Sequence, residues 1–269
     1  MENKEMTRKA LLYVSLKFKG DWAAMYKFIV KDKCPIPFKE LDDVEKKIKC
    51  NYITIFDEGY PRALKQLSNP PLVLYYYGDI SLIQDFRKCI SIIGSRSADD
   101  YGIIATLDLS RELSEKYVIV SGLAKGIDAF AHQGAIEMEG KTVAVLGSGI
   151  DICYPIENAE LYGKIKENQL LISEYPNFTE PTPEKFPWRN RIIAALSVAT
   201  VVAQANQRSG TSITVRWALG LGRAVGAIPH AYNDDSLCNT LIAEGAKLVR
   251  CQKDIEDEIR ALGLGEIEL

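Results

Sequence analysis

The sequence lacks the features that would assign it to a membrane, secreted or zinc-binding class. It has no apolar run close to the roughly 20 residues that a membrane span needs, and no apolar signal core follows its polar N-terminus. Its six cysteines are scattered without a Cys-x-x-Cys pair, and there are only two histidines. We therefore expect a cytoplasmic protein with free thiols, no membrane association and no zinc site.

Motifs of common nucleotide enzymes and esterases are also missing. There is no Gly-x-x-x-x-Gly-Lys-Ser/Thr loop, no Gly-x-Gly-x-x-Gly after the first strand of the main domain, and no Gly-x-Ser-x-Gly elbow around Ser148. Asp128 and His132 are four residues apart on one predicted helix, but no third metal ligand accompanies them. We predict structural roles for both, no metal or other cofactor, and no enzymatic activity, because no catalytic set is complete.

Acidic residues are absent from a long window near the C-terminus. Between Lys185 and Asn233 there is no Asp or Glu, although the chain as a whole has a net charge of -3. This pattern predicts a local anion-binding field within a mildly acidic protein. The window contains five arginines: Arg189, Arg191, Arg208, Arg216 and Arg223.

The alternative is that these arginines are solvated or paired with acids elsewhere in the fold. Glu174, at the end of a predicted strand, is either a catalytic acid or a partner that holds arginines in place, and we favour the partner. Arg216 and Arg223 lie further along the chain, and we expect ordinary structural or solvated roles for them.

Three segments differ in composition. Residues 1–50 are rich in lysine and predict a small helical N-terminal module, with helices over Arg8–Lys33 and Phe38–Lys49. Its lysines either contact a phosphate backbone or solvate the helix faces, and we favour solvation. Residues 51–80 predict a connecting or edge segment with two short strands. Residues 81–269 form the main predicted domain.

From Lys88 onward, about seven apolar strands alternate with helices of ten to fifteen residues. Such alternation is typical of βαβ units. We predict the α/β class, with an extended Rossmann-like, doubly wound, mostly parallel sheet and the small helical module at its N-terminus. Ligands of such sheets bind at the carboxyl ends of the strands.

The loops at those strand ends carry small and polar residues that suit a phosphate ligand. Gly94-Ser95-Arg96 follows the first strand, Ser121 and Gly122 with Lys125 follow the second, and Ser148 follows the third. Glycines allow backbone N–H groups to approach a ligand, and helix N-termini favour anions.

Taken in order, these motifs resemble the DprA/Smf (DNA-processing protein A) family of bacteria. The resemblance covers about Ile53 to Gly245. It rests on Gly94-Ser-Arg96, Ser121-Gly-Leu-Ala-Lys-Gly-Ile-Asp-Ala-Phe-Ala-His132, Thr142-Val-Ala-Val-Leu-Gly-Ser-Gly-Ile-Asp151, Tyr154-Pro155, Ser173-Glu-Tyr-Pro176, Phe186-Pro-Trp-Arg-Asn-Arg-Ile-Ile193 and Arg208-Ser-Gly-Thr-Ser-Ile-Thr214.

The resemblance implies a protein without established enzymatic turnover that binds and protects single-stranded DNA and helps to load RecA recombinase in natural transformation. It also implies a homodimer formed through the C-terminal part of the Rossmann-like domain. The alternative function is a nucleotide- or phosphate-binding sensor or a nucleotide-processing enzyme. The DNA-facing positions implied by the motifs are Gly94, Ser95, Arg96, Ser121, Gly122, Lys125, Ser148, Phe186, Arg189, Asn190 and Arg191. With DNA as the ligand, Phe186, Trp188 and Tyr175 are candidates for stacking on bases, and packing at the helix N-terminus is the alternative for Trp188.

Overall fold

Within the part of the chain that the structure describes, the fold is built on a nine-stranded sheet. The computed structural model of the protein describes residues 2–37 and 39–264. Its strands lie in the order β1-β2-β6-β5-β4-β3-β7-β8-β9. They are β1 Asn51–Thr54, β2 Val73–Gly78, β3 Cys89–Gly94, β4 Val118–Ser121, β5 Thr142–Leu146, β6 Leu170–Ser173, β7 Ala199–Gln204, β8 Ala224–Ala227 and β9 Lys247–Leu248.

The predicted fold class is confirmed. The seven strands β3–β9 pair in parallel, while β1 and β2 form an antiparallel edge against β6. The strand order reverses at β3. From β3 the chain first adds β4, β5 and β6 on one side, and it later adds β7, β8 and β9 on the other side. A crevice is expected outside the carboxyl ends of the strands at such a reversal.

Helices cover both faces of the sheet. Along β3, Ile90 and Ile92 face one core and Cys89 and Ile93 the other, as the two-residue period of a strand requires. The α-helices are α1 Glu2–Lys17, α2 Trp22–Tyr26, α3 Lys39–Asp42, α4 Asp100–Ser114, α5 Ile127–Glu137, α6 Ala159–Asn168, α7 Lys185–Ala195, α8 Thr211–Gly220, α9 Leu237–Ala243 and α10 Gln252–Ala261.

The N-terminal helices differ from the prediction of one helix over Arg8–Lys33. Helix α1 ends at Lys17, and the chain turns at Gly20, which has a φ of 74°. A Cβ at Gly20 would lie 2.6 Å from the Glu174 carbonyl oxygen, so glycine is needed there. Asp21 then caps α2 by accepting a bond from the Ala24 N–H. Gly20 therefore ends the first helix and Asp21 begins the second, although the apolar periodicity continues across both residues.

The second predicted helix, Phe38–Lys49, is also divided. Helix α3 covers Lys39–Asp42 and a 3₁₀ turn covers Val44–Lys47, while Phe38 lies outside the described residues. Leu11 and Leu12 of α1 pack in one apolar cluster with Val73 and Tyr75 of β2. The N-terminal helices are therefore fastened to the edge of the sheet. The domain boundaries drawn from the sequence stay predictions.

Candidate functional site

A cleft of about 450 Å³ lies at the carboxyl ends of β3 and β7. Its walls are the loop at residues 94–97, the segment at residues 206–211, and the N-terminal part of α7. It therefore occupies the crevice where the strand order reverses. Within the described chain, Asp128 is the one carboxylate among the residues that line this cleft.

The loop after β3 is anchored through its backbone. The Ser95 N–H donates to the Gln204 carbonyl oxygen at 2.6 Å, and the Ser95 carbonyl oxygen accepts from the Ile127 N–H at 3.1 Å. Gly126 has a φ of 74°, and a Cβ there would lie 2.3 Å from the Ser95 carbonyl oxygen. These contacts fix the loop against α5 and leave the Arg96 side chain exposed.

An aromatic wall divides the cleft from a smaller cavity of about 160 Å³. The Phe186 ring stacks on Tyr154 with centroids 5.3 Å apart and an interplanar angle of 29°. The Arg96 guanidinium lies 5.4 Å from the Phe186 ring centre. Arg96 and Phe186 line both cavities, and Lys125 lines the smaller one. A cation and an aromatic surface are thus presented together.

The opposite wall is the start of helix α8. Arg208 is exposed there, and Ser209, Gly210 and Thr211 line the cleft beside it. The Ser209 hydroxyl oxygen is buried and has no hydrogen-bond partner among the described residues. The positive end of the helix dipole adds to the positive potential at this end. The wall is suited to an anion such as a phosphate.

Arg189 forms the floor between the two cavities. It is only 3% exposed, and its Nη1 donates to the Gly122 carbonyl oxygen at 2.8 Å and to that of Val145. Burial lowers the pKa of Arg189 to about 10, and Asp128 opposes that shift. The guanidinium is therefore charged at neutral pH. Burial also raises the pKa of Asp128, which Arg189 opposes in turn.

The structure corrects the expectation that Arg191 faces a ligand. Arg191 is fully buried, and its two Nη atoms donate to the two carboxylate oxygens of Glu174 at 3.0 and 2.5 Å. Its Nε donates to the Asn69 carbonyl oxygen at 3.1 Å. The interpretation of Glu174 as an arginine partner is confirmed. Arg191 ties α7 to the loop after β6 and to the segment before β2.

Two serines and a tyrosine that we expected at a ligand surface are also buried. The Ser121 hydroxyl donates to the Ile92 carbonyl oxygen at 2.7 Å, and the Ser148 hydroxyl to that of Ile152 at 3.2 Å. Tyr175 is 4% exposed and has too little free surface to stack on a base. Ser121 thus fastens the end of β4 to β3, and Ser148 closes the loop after β5, so neither hydroxyl is presented to a ligand.

The remaining predicted residues come together around the two cavities. Lys125 is exposed and pairs with Glu157 at 2.5 Å, and the Asn190 amide oxygen accepts from the Arg189 Nε at 3.2 Å. The set that lines one or both cavities is Gly94, Ser95, Arg96, Gly122, Lys125, Phe186, Arg189 and Asn190.

Tyr154 and Arg208 are not among the ligand-facing residues that we predict from the sequence, although both belong to motifs of the resemblance. The position of Tyr154 depends on how the loop after β5 folds over α7, which has no local sequence signal. Arg208 was visible as the arginine before Ser-Gly-Thr at a helix start. Arg223 is buried against Phe86, with its guanidinium 3.7 Å from the ring centre, and Arg216 is exposed and lines neither cavity.

His132 and Asp128 have the structural placement that we expected. Asp128 lies in the first turn of α5 and accepts from the Gly122 N–H at 3.1 Å, while His132 Nδ1 is 2.6 Å from the Thr142 hydroxyl. In the described part of the chain, no group of three or more His, Cys, Asp or Glu side chains is arranged to hold a metal ion. Over the same residues, no helix is long and apolar enough to cross a bilayer.

The buried imidazole makes stability depend on pH. Burial, with a smaller contribution from Arg189, lowers the pKa of His132 to about 3. The unfolded chain then binds the extra proton first, so this stability is complete above the unfolded pKa of about 6.5 and falls as the pH drops toward 3. Between pH 7 and pH 5 we expect wild type to lose about 2 kcal/mol more of its free energy of unfolding than His132→Asn loses. Urea denaturation at both pH values measures this, and equal losses would contradict it.

The comparisons agree on one family. Residues 51–260 match the model of DNA recombination-mediator protein A. DNA processing protein DprA of Streptococcus pneumoniae is 41% identical over 204 residues, which cover 75% of this chain and 72% of that protein. The X-ray structure of DprA from S. pneumoniae is similar with a TM-score of 0.77 and 37% identity, covering 88% of this chain and 81% of that one.

A second similar structure belongs to a relative that binds single-stranded DNA. The DprA structure from Helicobacter pylori, reported for its single-stranded DNA binding mode, has a TM-score of 0.69 and 31% identity to this chain. The similarity covers 79% of this chain and 96% of that one.

Proposed function

The chain belongs to the DNA recombination-mediator protein A family, and on this premise we propose that it binds single-stranded DNA, without sequence preference, in the cleft at the carboxyl ends of β3 and β7. The observation that carries the proposal is the exposed Arg96 beside the Phe186–Tyr154 stack, on the wall shared by two cavities. Such an arrangement offers a phosphate contact and a base-stacking surface within one nucleotide of each other.

The phosphate contacts are assigned by exposure and charge. Arg96, Arg208 and Lys125 have exposed side chains at the cavities, and the Ser209 hydroxyl has no partner within the described structure. Lys125 exchanges its ion pair with Glu157 for a phosphate, at little cost because exposed pairs contribute only about 0–1 kcal/mol. Contacts of this kind carry no base information. They explain binding that is independent of sequence.

The buried members of the motif act by position. Arg189 joins the carbonyl oxygens at the ends of β4 and β5, and Arg191 fixes α7 to Glu174. Ser121 fastens β4 to β3, and Ser148 closes the loop after β5. These contacts hold Phe186 and Asn190, both on α7, at the edge of the cleft. A rigid first turn of α7 lowers the entropy cost of ordering the stacking surface on DNA.

The further steps of the function follow from the family. We propose that the bound strand is protected and passed to RecA recombinase during natural transformation. We also propose that two copies associate through the C-terminal part of the Rossmann-like domain. Exposed apolar residues there support this association: Leu219 on α8, Leu248 on β9 and Leu262 after α10 are 59%, 38% and 51% exposed.

The test is a titration of the wild-type protein with fluorescent oligo-dT at two salt concentrations. We expect tight binding at low salt that weakens steeply as salt rises, because phosphate contacts release counterions. A parallel incubation with nucleoside monophosphates is expected to release no free base. Absence of oligonucleotide binding at low salt, or release of base, would favour a nucleotide-processing function instead.

A further inference from the structure

The N-terminal helices carry a surface that the cleft does not use. We propose that α1, α2 and the π-helical turn Lys27–Lys31 form a second single-stranded DNA contact surface, which continues the path of the strand beyond the cleft. This inference rests on the proposed function, since it concerns the same strand of DNA.

The charge of this segment is opposite to that of the chain. Residues 8–33 contain seven Lys or Arg and two Asp, a balance of +5, whereas the chain as a whole has a net charge of -3. Arg8 pairs with Asp57 and Lys9 with Glu5. No carboxylate of the described residues lies within 4.0 Å of the other five, which are all exposed: Lys17, Lys19, Lys27, Lys31 and Lys33.

Aromatic rings alternate with these lysines. The Lys17 ammonium lies 4.6 Å from the ring centre of Phe28, which in turn lies 5.4 Å from the ring of Phe18. Trp22 and Tyr26 stack with centroids 5.0 Å apart and planes only 11° apart, and Tyr26 is 38% exposed. Lysines beside partly exposed, stacked rings are the composition of a non-specific single-strand surface.

A cavity of about 580 Å³ joins this surface to the α7 region. Phe18 and Trp22 line it on the N-terminal side, and Lys185 and Trp188 line it on the other. Lys185 and Trp188 flank Phe186 within the first turn of α7, and Phe186 lines the cleft. The first turn of α7 therefore lies between the two surfaces, with Lys185 and Trp188 lining the cavity and Phe186 lining the cleft.

The charges around this cavity decide which part of a nucleotide it accepts. Asp21, Glu180 and Glu184 also line it, so its rim repels phosphates. The Asp21 side chain is already engaged as the cap of α2, at 3.0 Å from the Ala24 N–H. Bases therefore enter between Trp22 and Trp188, while the phosphates follow Lys17 and Lys27 outside. The rival occupant of an aromatic and acidic cavity is a basic peptide.

The experiment compares oligo-dT of about 8 nucleotides, a length within the range of about 4–16 nucleotides that one single-strand site covers, with oligo-dT of about 20 nucleotides, which exceeds that range. The variants are Lys17→Gln/Lys27→Gln and the matched control Lys88→Gln/Lys141→Gln. Lys88 and Lys141 are also exposed but directly precede β3 and β5, at the amino ends of the strands and therefore opposite the cleft. Binding of the short oligonucleotide reports both that each variant is folded and that the cleft functions.

We expect the Lys17→Gln/Lys27→Gln variant to bind the short strand like wild type but the long strand about tenfold more weakly. Its slope of log affinity against log salt on the long strand should fall by about 1.4, which is about 0.7 for each lost phosphate contact. The control variant should match wild type on both lengths. Equal affinity of all three proteins for the long strand would overturn this inference, as would binding of a basic peptide at this cavity without any effect of strand length. Failure of wild type to bind the short strand would instead overturn the proposed function.

Discussion

Replacing Arg191 by methionine is expected to lower the free energy of unfolding by about 3–5 kcal/mol, the cost of breaking a buried ion pair by removing one partner. The Glu174 carboxylate, itself 4% exposed, would be left without its bidentate donor in a site closed to water. The carbonyl oxygens of Asn69 and Trp188 would also lose a donor. Urea denaturation at neutral pH measures the change.

Two control variants separate this cause from the simple loss of a large side chain. Arg223→Met removes another buried arginine, whose Nη2 is bonded to the Gln66 amide oxygen and which has no carboxylate partner among the described residues. We expect a smaller loss there, of about 1–3 kcal/mol. Adding Glu174→Gln to Arg191→Met should restore part of the stability, because the uncompensated charge is removed.

DNA binding by the Arg191→Met variant distinguishes a positioning role from direct contact. Because Arg191 is fully buried and fixes α7, the folded fraction should lose less affinity for oligo-dT than Arg96→Ala loses, and its slope of log affinity against log salt should stay that of wild type. A variant that keeps wild-type stability but binds with a smaller salt slope would show that Arg191 contacts the strand, contrary to its burial.

Replacing Phe186 by alanine is expected to weaken binding of single-stranded DNA by about 5- to 150-fold, the equivalent of about 1–3 kcal/mol for a stacked base. The ring separates the two cavities, stacks on Tyr154 and lies under the Arg96 guanidinium. Its loss therefore removes the stacking face and leaves Arg96 less ordered. Fluorescence titration with oligo-dT measures the affinity.

The salt dependence identifies the role of the Phe186 ring. No charge is removed, so the slope of log affinity against log salt should stay that of wild type. Phe56→Ala is the matched control, since Phe56 is 61% exposed, follows β1 and lines neither cavity. An unchanged affinity for Phe186→Ala, or an equal loss for Phe56→Ala, would contradict the proposal that the Phe186 ring stacks on a base.

The sequence predicts the architecture well because the pattern of apolar residues in each strand indicates which of its faces are buried. The runs at Cys89–Gly94 and Thr142–Leu146 are apolar on both faces, and only a parallel sheet covered by helices buries both. The end of α1 was missed because apolar residues continue on either side of Gly20. Its turn is imposed by the approach to the Glu174 carbonyl oxygen, a residue far away in the chain.

The sequence predicts where the candidate site lies in the fold, but it does not predict which way the arginine side chains point. The charge pattern placed Arg189 and Arg191 beside the cleft, yet both side chains point inward. Their burial depends on acceptors from other elements: Glu174, Asn69, Gly122 and Val145. Local sequence shows that an arginine is present. Only the assembled fold shows whether its guanidinium already donates to a carboxylate or a carbonyl group of the protein.

The most direct test of the DNA-binding cleft compares Arg96→Ala with Arg216→Ala in a salt series with oligo-dT. Both arginines are exposed, but only Arg96 lines the cavities. We expect Arg96→Ala to bind about tenfold more weakly at low salt, with a salt slope smaller by about 0.7, and Arg216→Ala to match wild type. Equal behaviour of the two variants, whether both intact or both impaired, would contradict the placement of single-stranded DNA in this cleft.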